Sequence, residues 1–162
     1  TFSEYYNLTK KELNIICTDL TIGKEKIFNM INTPNVDIID CILASCAVPI
    51  IFNNVKIDKN YYIDGSFKNI FPTNLFTNDL NRTIAIGFFP GKRKKPNIIN
   101  TIYILLRNMI ETDIPKSTRN KFFNFIKLKP LLNSFNLNLS IKDKKHAYNL
   151  YYTILNKKIK NK

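Results

Sequence analysis

Apolar positions gather in short runs whose period changes along the chain. Leu13-Asn14-Ile15-Ile16-Cys17-Thr18 is a compact run of strand length. Asp19 to Lys24 supplies a turn around Gly23, and Lys26-Ile27-Phe28-Asn29-Met30 can return as a second strand, so a hairpin or an adjacent strand pair is predicted. Ahead of it, residues 3–8 suit a short helix or loop. Thr33-Pro34-Asn35 then signals a helix start, with Asn35 as N-cap and Asp37 in the first turn. Ile38, Ile39, Ile42, Leu43 and Cys46 recur at helical spacing, which predicts a helix over 36–47 with that face buried, ended by Pro49. Residues 50–57 look extended, and Tyr61-Tyr62-Ile63 is a short strand running into Asp64.

The second half continues the alternation. Arg82 to Phe89 is apolar almost throughout, as strands covered on both faces are. A basic, turn-rich loop at 90–96 precedes a predicted helix over 98–112. Residues 113–134 are ambiguous, with Phe122, Phe123, Phe125 and Ile126 suiting a packed short helix or a flap. Residues 135–140 alternate as an edge strand does, and Ser140 with Asp143 forms a capping box for a last helix over 141–158. Strands alternating with helices argue an α/β fold.

Composition narrows this only in part. The 162 residues, 44% hydrophobic with 12 Phe and 8 Tyr, suit one globular domain with a real core. No apolar run approaches the ~20 residues that span a bilayer. The start has neither a basic nor an apolar leader region and no Met, which points to a chain beginning inside a longer protein. The net charge of +13 comes from basic residues that are scattered, apart from Lys92-Arg93-Lys94-Lys95 and the Lys-rich tail. Heavy use of Lys, Asn and Ile together reads as codon bias and a solvated surface, with a membrane-surface role as the rival. A nucleic-acid partner is disfavoured, because the aromatics sit in core-like runs rather than interleaved with Lys and Arg.

Candidate chemistry centres on Tyr62-Ile63-Asp64-Gly65-Ser66. An aspartate at the end of a buried strand, on a glycine turn, is where α/β enzymes keep an acid or base. Asp-Gly is also a common turn pair, so a plain turn cap explains the local pattern equally well. His146, the single histidine, sits among Lys144, Lys145 and Tyr148 on the last helix and reads as a surface or partly packed residue rather than a base, so no histidine triad can be assembled. Cys17, Cys41 and Cys46 are widely spaced in apolar runs and read as three buried free thiols of a reducing, cytosolic setting. No metal cluster or glycine-rich phosphate loop is visible, so neither a metal nor a cofactor is expected.

Several segments together resemble one family. Thr18-Asp19-Leu20 with Gly23, then Ala44-Ser45-Cys46-Ala47-Val48-Pro49 with Phe52, then Asp64-Gly65-Ser66, then Asn69-Ile70-Phe71-Pro72, are similar to the patatin-like phospholipases in order and spacing. The resemblance covers residues 1 to about 90, and the Ser140 helix less closely. It implies a three-layer α/β fold around a mostly parallel sheet, of which this chain is the C-terminal part without the N-terminal portion. It also implies a lipid acyl ester hydrolase with a Ser–Asp dyad, in which Asp64 is the general base. The substrate would be a phospholipid or neutral lipid, met in the cytoplasm or at a membrane surface.

Two departures matter. Ser66 stands where the family has Gly or Ala. The family's Gly-x-Ser-x-Gly elbow and glycine-rich oxyanion loop do not occur in these residues. The alternative expectation is therefore a non-catalytic remnant of the fold that binds membranes or proteins. Which lipid, which ester bond and which oligomeric state stay open at this level.

Overall fold

The computed structural model describes residues 1–76, 82–88, 124–128 and 140–160. Contacts divide the chain into two compact units, Thr1–Pro72 with Thr101–Ile114, and Thr73–Asn100 with Pro115–Lys162.

The first unit is built on a four-stranded sheet. Helix α1 (Phe2–Thr9) opens the chain, capped by reciprocal bonds between Thr1 and Glu4. Strands β1 (Ile15–Asp19) and β2 (Lys24–Phe28) form the expected hairpin, closed at Asp19 opposite Lys24. Gly23 takes the left-handed φ of 68° that the turn demands, which a β-carbon would oppose. Helix α2 (Ile38–Ser45) follows, then β3 (Val55–Ile57) and β4 (Asn60–Asp64). The sheet order is β2-β1-β4-β3, and every pairing is antiparallel. Phe2, Ile15, Cys17, Phe28, Cys41, Ala44, Ile57 and Tyr62 make the core, with Phe28 and Tyr62 edge-to-face at 5.1 Å.

Helix α2 corrects two expectations. Its N-cap is Asp37, whose side chain accepts from the Ile39 amide at 2.6 Å, rather than Asn35. It also buries a different face. Ile39 and Leu43 are 63% and 56% exposed and Ile42 is exposed too, whereas Cys41 and Ala44 are buried. The reason is proximity: the Cys17 thiol donates to the Cys41 carbonyl at 3.6 Å, and only small residues fit where a helix lies that close to a strand. Cys46, beyond the helix end, is exposed, so two thiols are buried rather than three.

In the second unit, β5 (Ile84–Phe88) pairs in parallel with β6 (Asn124–Leu128), in register from Ile84–Asn124 to Phe88–Leu128. The ambiguous stretch thus contains a strand rather than a helix or flap over 124–128. Ala85 is buried, but Ile84 and Ile86 are about half exposed, so β5 is not covered on both faces as its apolarity suggested. Helix α3 (Ile141–Lys160) starts at the predicted place. Asp143 N–H donates to Ser140 Oγ at 3.1 Å, and that hydroxyl donates to the Asp143 carboxylate at 2.6 Å. The chain is therefore α/β. Among the described residues the parallel arrangement belongs to β5–β6, while the four-stranded sheet departs from it. The expected 98–112 helix, the 135–140 strand and the basic loop at 90–96 lie outside the described residues.

Candidate active site

Asp64 is the last residue of β4, and two segments distant in sequence converge on it. From β1, Thr18 Oγ donates to the Asp64 carbonyl at 2.9 Å. From the segment after α2, the Ala47 carbonyl accepts from the Asp64 amide at 3.1 Å. The chain then turns through Gly65–Phe67, a single 3-10 turn. The Ile16 carbonyl is the hub of this corner. Ser45 Oγ donates to it at 2.8 Å, and a β-carbon on Gly65 would stand 2.3 Å from the same oxygen. Gly65 is required here for space, since its backbone does not take the left-handed conformation.

The Asp64 side chain does two things. Its Oδ1 accepts from the Ser66 amide at 2.8 Å and from the Ser66 hydroxyl at 2.6 Å, so it does cap the turn, as the plain reading held. Among the described residues, Oδ2 accepts no hydrogen bond. Asp64 also lines an open cleft of about 430 Å³, together with Ile16, Ile42, Ser45, Gly65, Ser66 and Ile70 among others. The exposed lining is largely apolar, and it includes the Asp64 carboxylate and the polar side chains of Asn14, Ser45, Ser66 and Asn69. This arrangement suits a proton acceptor facing an apolar ligand.

The Ser45 hydroxyl proton is engaged by the Ile16 carbonyl, and no glycine flanks Ser45 as it would in a nucleophile elbow. His146 is exposed on α3, as expected. Among the described residues no group of three His, Cys, Asp or Glu side chains is placed to hold a metal, and no helix is long and apolar enough to cross a membrane. The sequence did not reveal the Ile16 carbonyl as the point where Ser45 and Gly65 meet. A backbone atom leaves no signature beyond the small residues gathered around it.

These contacts explain why the quoted motifs keep company: Thr18, Ser45, Ala47, Asp64 and Gly65 are parts of one corner. The model of the patatin-like phospholipase family matches residues 3–77. Every described residue lining the cleft falls inside that span. Among curated proteins, a protein of Invertebrate iridescent virus 6 described as a probable lipid hydrolase is 36% identical over 95 residues, 59% of this chain and 30% of its own length. An uncharacterized protein of Acanthamoeba polyphaga mimivirus is 27% identical over 156 residues, covering 88% of this chain and 52% of its own. The chain thus spans between about a third and a half of the relatives it matches. The matched stretch holds the described lining of the cleft, while α3 and the β5–β6 pair lie beyond it in the sequence.

Proposed function

We propose that residues 1–162 are the C-terminal part of a lipid acyl ester hydrolase, and that Asp64 is its general base. The observation that carries this reading is the Asp64 carboxylate at the end of β4, held through Oδ1, with Oδ2 unengaged among the described residues, in an apolar-walled cleft. A serine from a Gly-x-Ser-x-Gly segment outside this sequence would complete the dyad. In the first step the serine oxygen attacks the ester carbonyl carbon while its proton passes to Asp64. Collapse of the tetrahedral intermediate breaks the ester bond, and the departing alcohol takes that proton. Water, deprotonated by Asp64, then attacks the acyl-serine and releases the fatty acid as the proton returns to the serine. The direct use of a carboxylate fits a chain whose one histidine is exposed on α3.

The apolar walls favour the acyl chain of a phospholipid or neutral lipid as ligand, met in the cytoplasm or at a membrane surface, and the scattered basic charge gives no reason to invoke nucleic acid. A second reading, a non-catalytic module that binds membranes or proteins, draws on the exposed Ile39, Leu43, Ile50 and Phe52 around the α2 end. The two separate in one experiment. Full-length protein and its Asp64→Asn variant are assayed on a soluble acyl ester. The enzyme reading requires hydrolysis that the variant loses; no hydrolysis by the wild type, with binding to vesicles, supports the module instead.

A further inference from the structure

We infer that Ser66 is a positioning residue for Asp64, a role that rests on the general-base reading above. The resemblance places Gly or Ala at this position, so the hydroxyl is an addition, and the structure shows where it goes. Its Oγ–H donates to Asp64 Oδ1 at 2.6 Å, and the Ser66 amide donates to the same oxygen at 2.8 Å. Two donors from one residue converge on one carboxylate oxygen. A single amide bond holds a carboxylate at one point and leaves it free to rock about its terminal torsion, which is broad for aspartate. The second donor, from a different direction, fixes the plane of the group and so decides which oxygen is offered to the proton. Charge-assisted O–H···O bonds of this length are the strong class.

The same turn binds Ser66 itself. The Asn69 and Lys68 amides both donate to the Gly65 carbonyl, at 2.9 Å and 3.1 Å, closing the loop that carries Ser66. Ser66 lines the cleft, yet its proton is committed to Asp64 and is not available to a ligand. Loss of the hydroxyl therefore acts on the chemical step rather than on ligand binding. A base displaced by a fraction of an ångström loses rate through geometry alone.

The test is steady-state kinetics of the full-length protein on a soluble acyl ester, with urea midpoints for each variant. Ser66→Ala and Ser66→Gly are expected to lower kcat about tenfold, with KM and the urea midpoint unchanged. Ser66→Thr, which restores the hydroxyl, is expected to recover most of kcat. If Asp64→Asn abolishes turnover while Ser66→Ala and Ser66→Gly keep wild-type kcat, the positioning role is overturned and the general-base reading stands. If Asp64→Asn itself turns over normally, the general-base reading falls and the positioning role with it. Should Ser66→Ala fail to fold, the Gly and Thr variants decide. A kcat loss in Gly that Thr repairs supports the role, and parallel losses of kcat and urea midpoint in both overturn it.

Discussion

The β1–β4 pair ends in an aspartate at each side, and the two are bonded in opposite ways. Asp19 closes β1, and Asp64 closes β4; because the strands are antiparallel, the residues lie at opposite ends of the same ladder. Asp19 is 1% exposed and fully spoken for. Its Oδ1 accepts from the Thr21 and Ile22 amides at 2.8 and 3.3 Å, and its Oδ2 from the Asn60 side chain at 2.7 Å. Asp64 is half-buried and has only one oxygen engaged by described residues. A carboxylate with both oxygens paired inside the fold holds a turn. One that lines a cleft with a single oxygen paired is the one the proposed mechanism uses as base.

The largest effect expected from breaking this contrast is on activity. Asp64→Asn keeps an acceptor for the Ser66 amide but cannot take a proton, so ester hydrolysis by the full-length protein should fall at least roughly 10³-fold. Its urea midpoint should stay close to wild type. A retained rate would remove Asp64 from the mechanism. Next comes Gly65→Ala, whose new β-carbon meets backbone rather than a movable side chain. The corner must shift, and a loss of about 3 kcal/mol is expected from chemical denaturation. A wild-type midpoint for Gly65→Ala would show that the corner yields easily.

How much of this was legible in the sequence follows from what each element depends on. The β1–β2 hairpin, β4 and the start of α3 carry local signals: an apolar run, Gly23, or a Ser140–Asp143 pair. Each was read correctly to within a few residues. Helix α2 was found, but its buried face was misjudged, because Ile39 and Leu43 outweigh Cys41 and Ala44 in hydrophobicity. Closeness to β1, which selects the small residues, is a tertiary fact. Strand β6 escaped for a similar reason, since its parallel partner β5 lies some 36 residues away and a parallel register leaves no local turn signal. For the site, the position of Asp64 on its strand end was visible. The pair of hydrogen bonds from Ser66, and the Ile16 carbonyl against which Ser45 bonds and Gly65 packs, were not.

At the other end of the ladder, Asp19→Ala should cost stability rather than chemistry. It strands two backbone amides and the Asn60 amide, for an expected loss of about 2–4 kcal/mol. The same residue predicts a pH effect. Burial alone would raise its carboxyl, but the Asn60 amide, the Thr21 and Ile22 amides and the Tyr62 hydroxyl together hold it below its ordinary value of 3.8. A depressed folded value means the contribution is complete above the unfolded value and is lost as pH falls through the lower, folded one. Wild type should therefore lose more stability on acidification below about pH 4 than Asp19→Ala does. Parallel pH profiles for the two proteins would show that Asp19 is not the group responsible.

At the Asp64 end of the ladder, the thiols offer the smallest and most local contrast. Cys17 lies opposite Asp64 in the ladder, and burial first, then the neighbouring Cys41, Asp64 and Cys46, push it up to about 12. Cys41 is pushed up to about 11 by burial, with Asp40 and Asp37 adding to it. Cys46 is exposed and lines the cleft. The thiolate is the reactive form, so at pH 8 iodoacetamide should label Cys46 alone in the folded protein. The other two should react only once the sheet opens. Peptide mass mapping after brief labelling reads this directly, and early labelling of Cys17 would mean that the β1–β4 end carrying Asp64 opens on its own. That outcome would reverse the contrast: the Asp64 corner would then be the mobile end of the ladder, and its cleft a transient feature rather than a standing one.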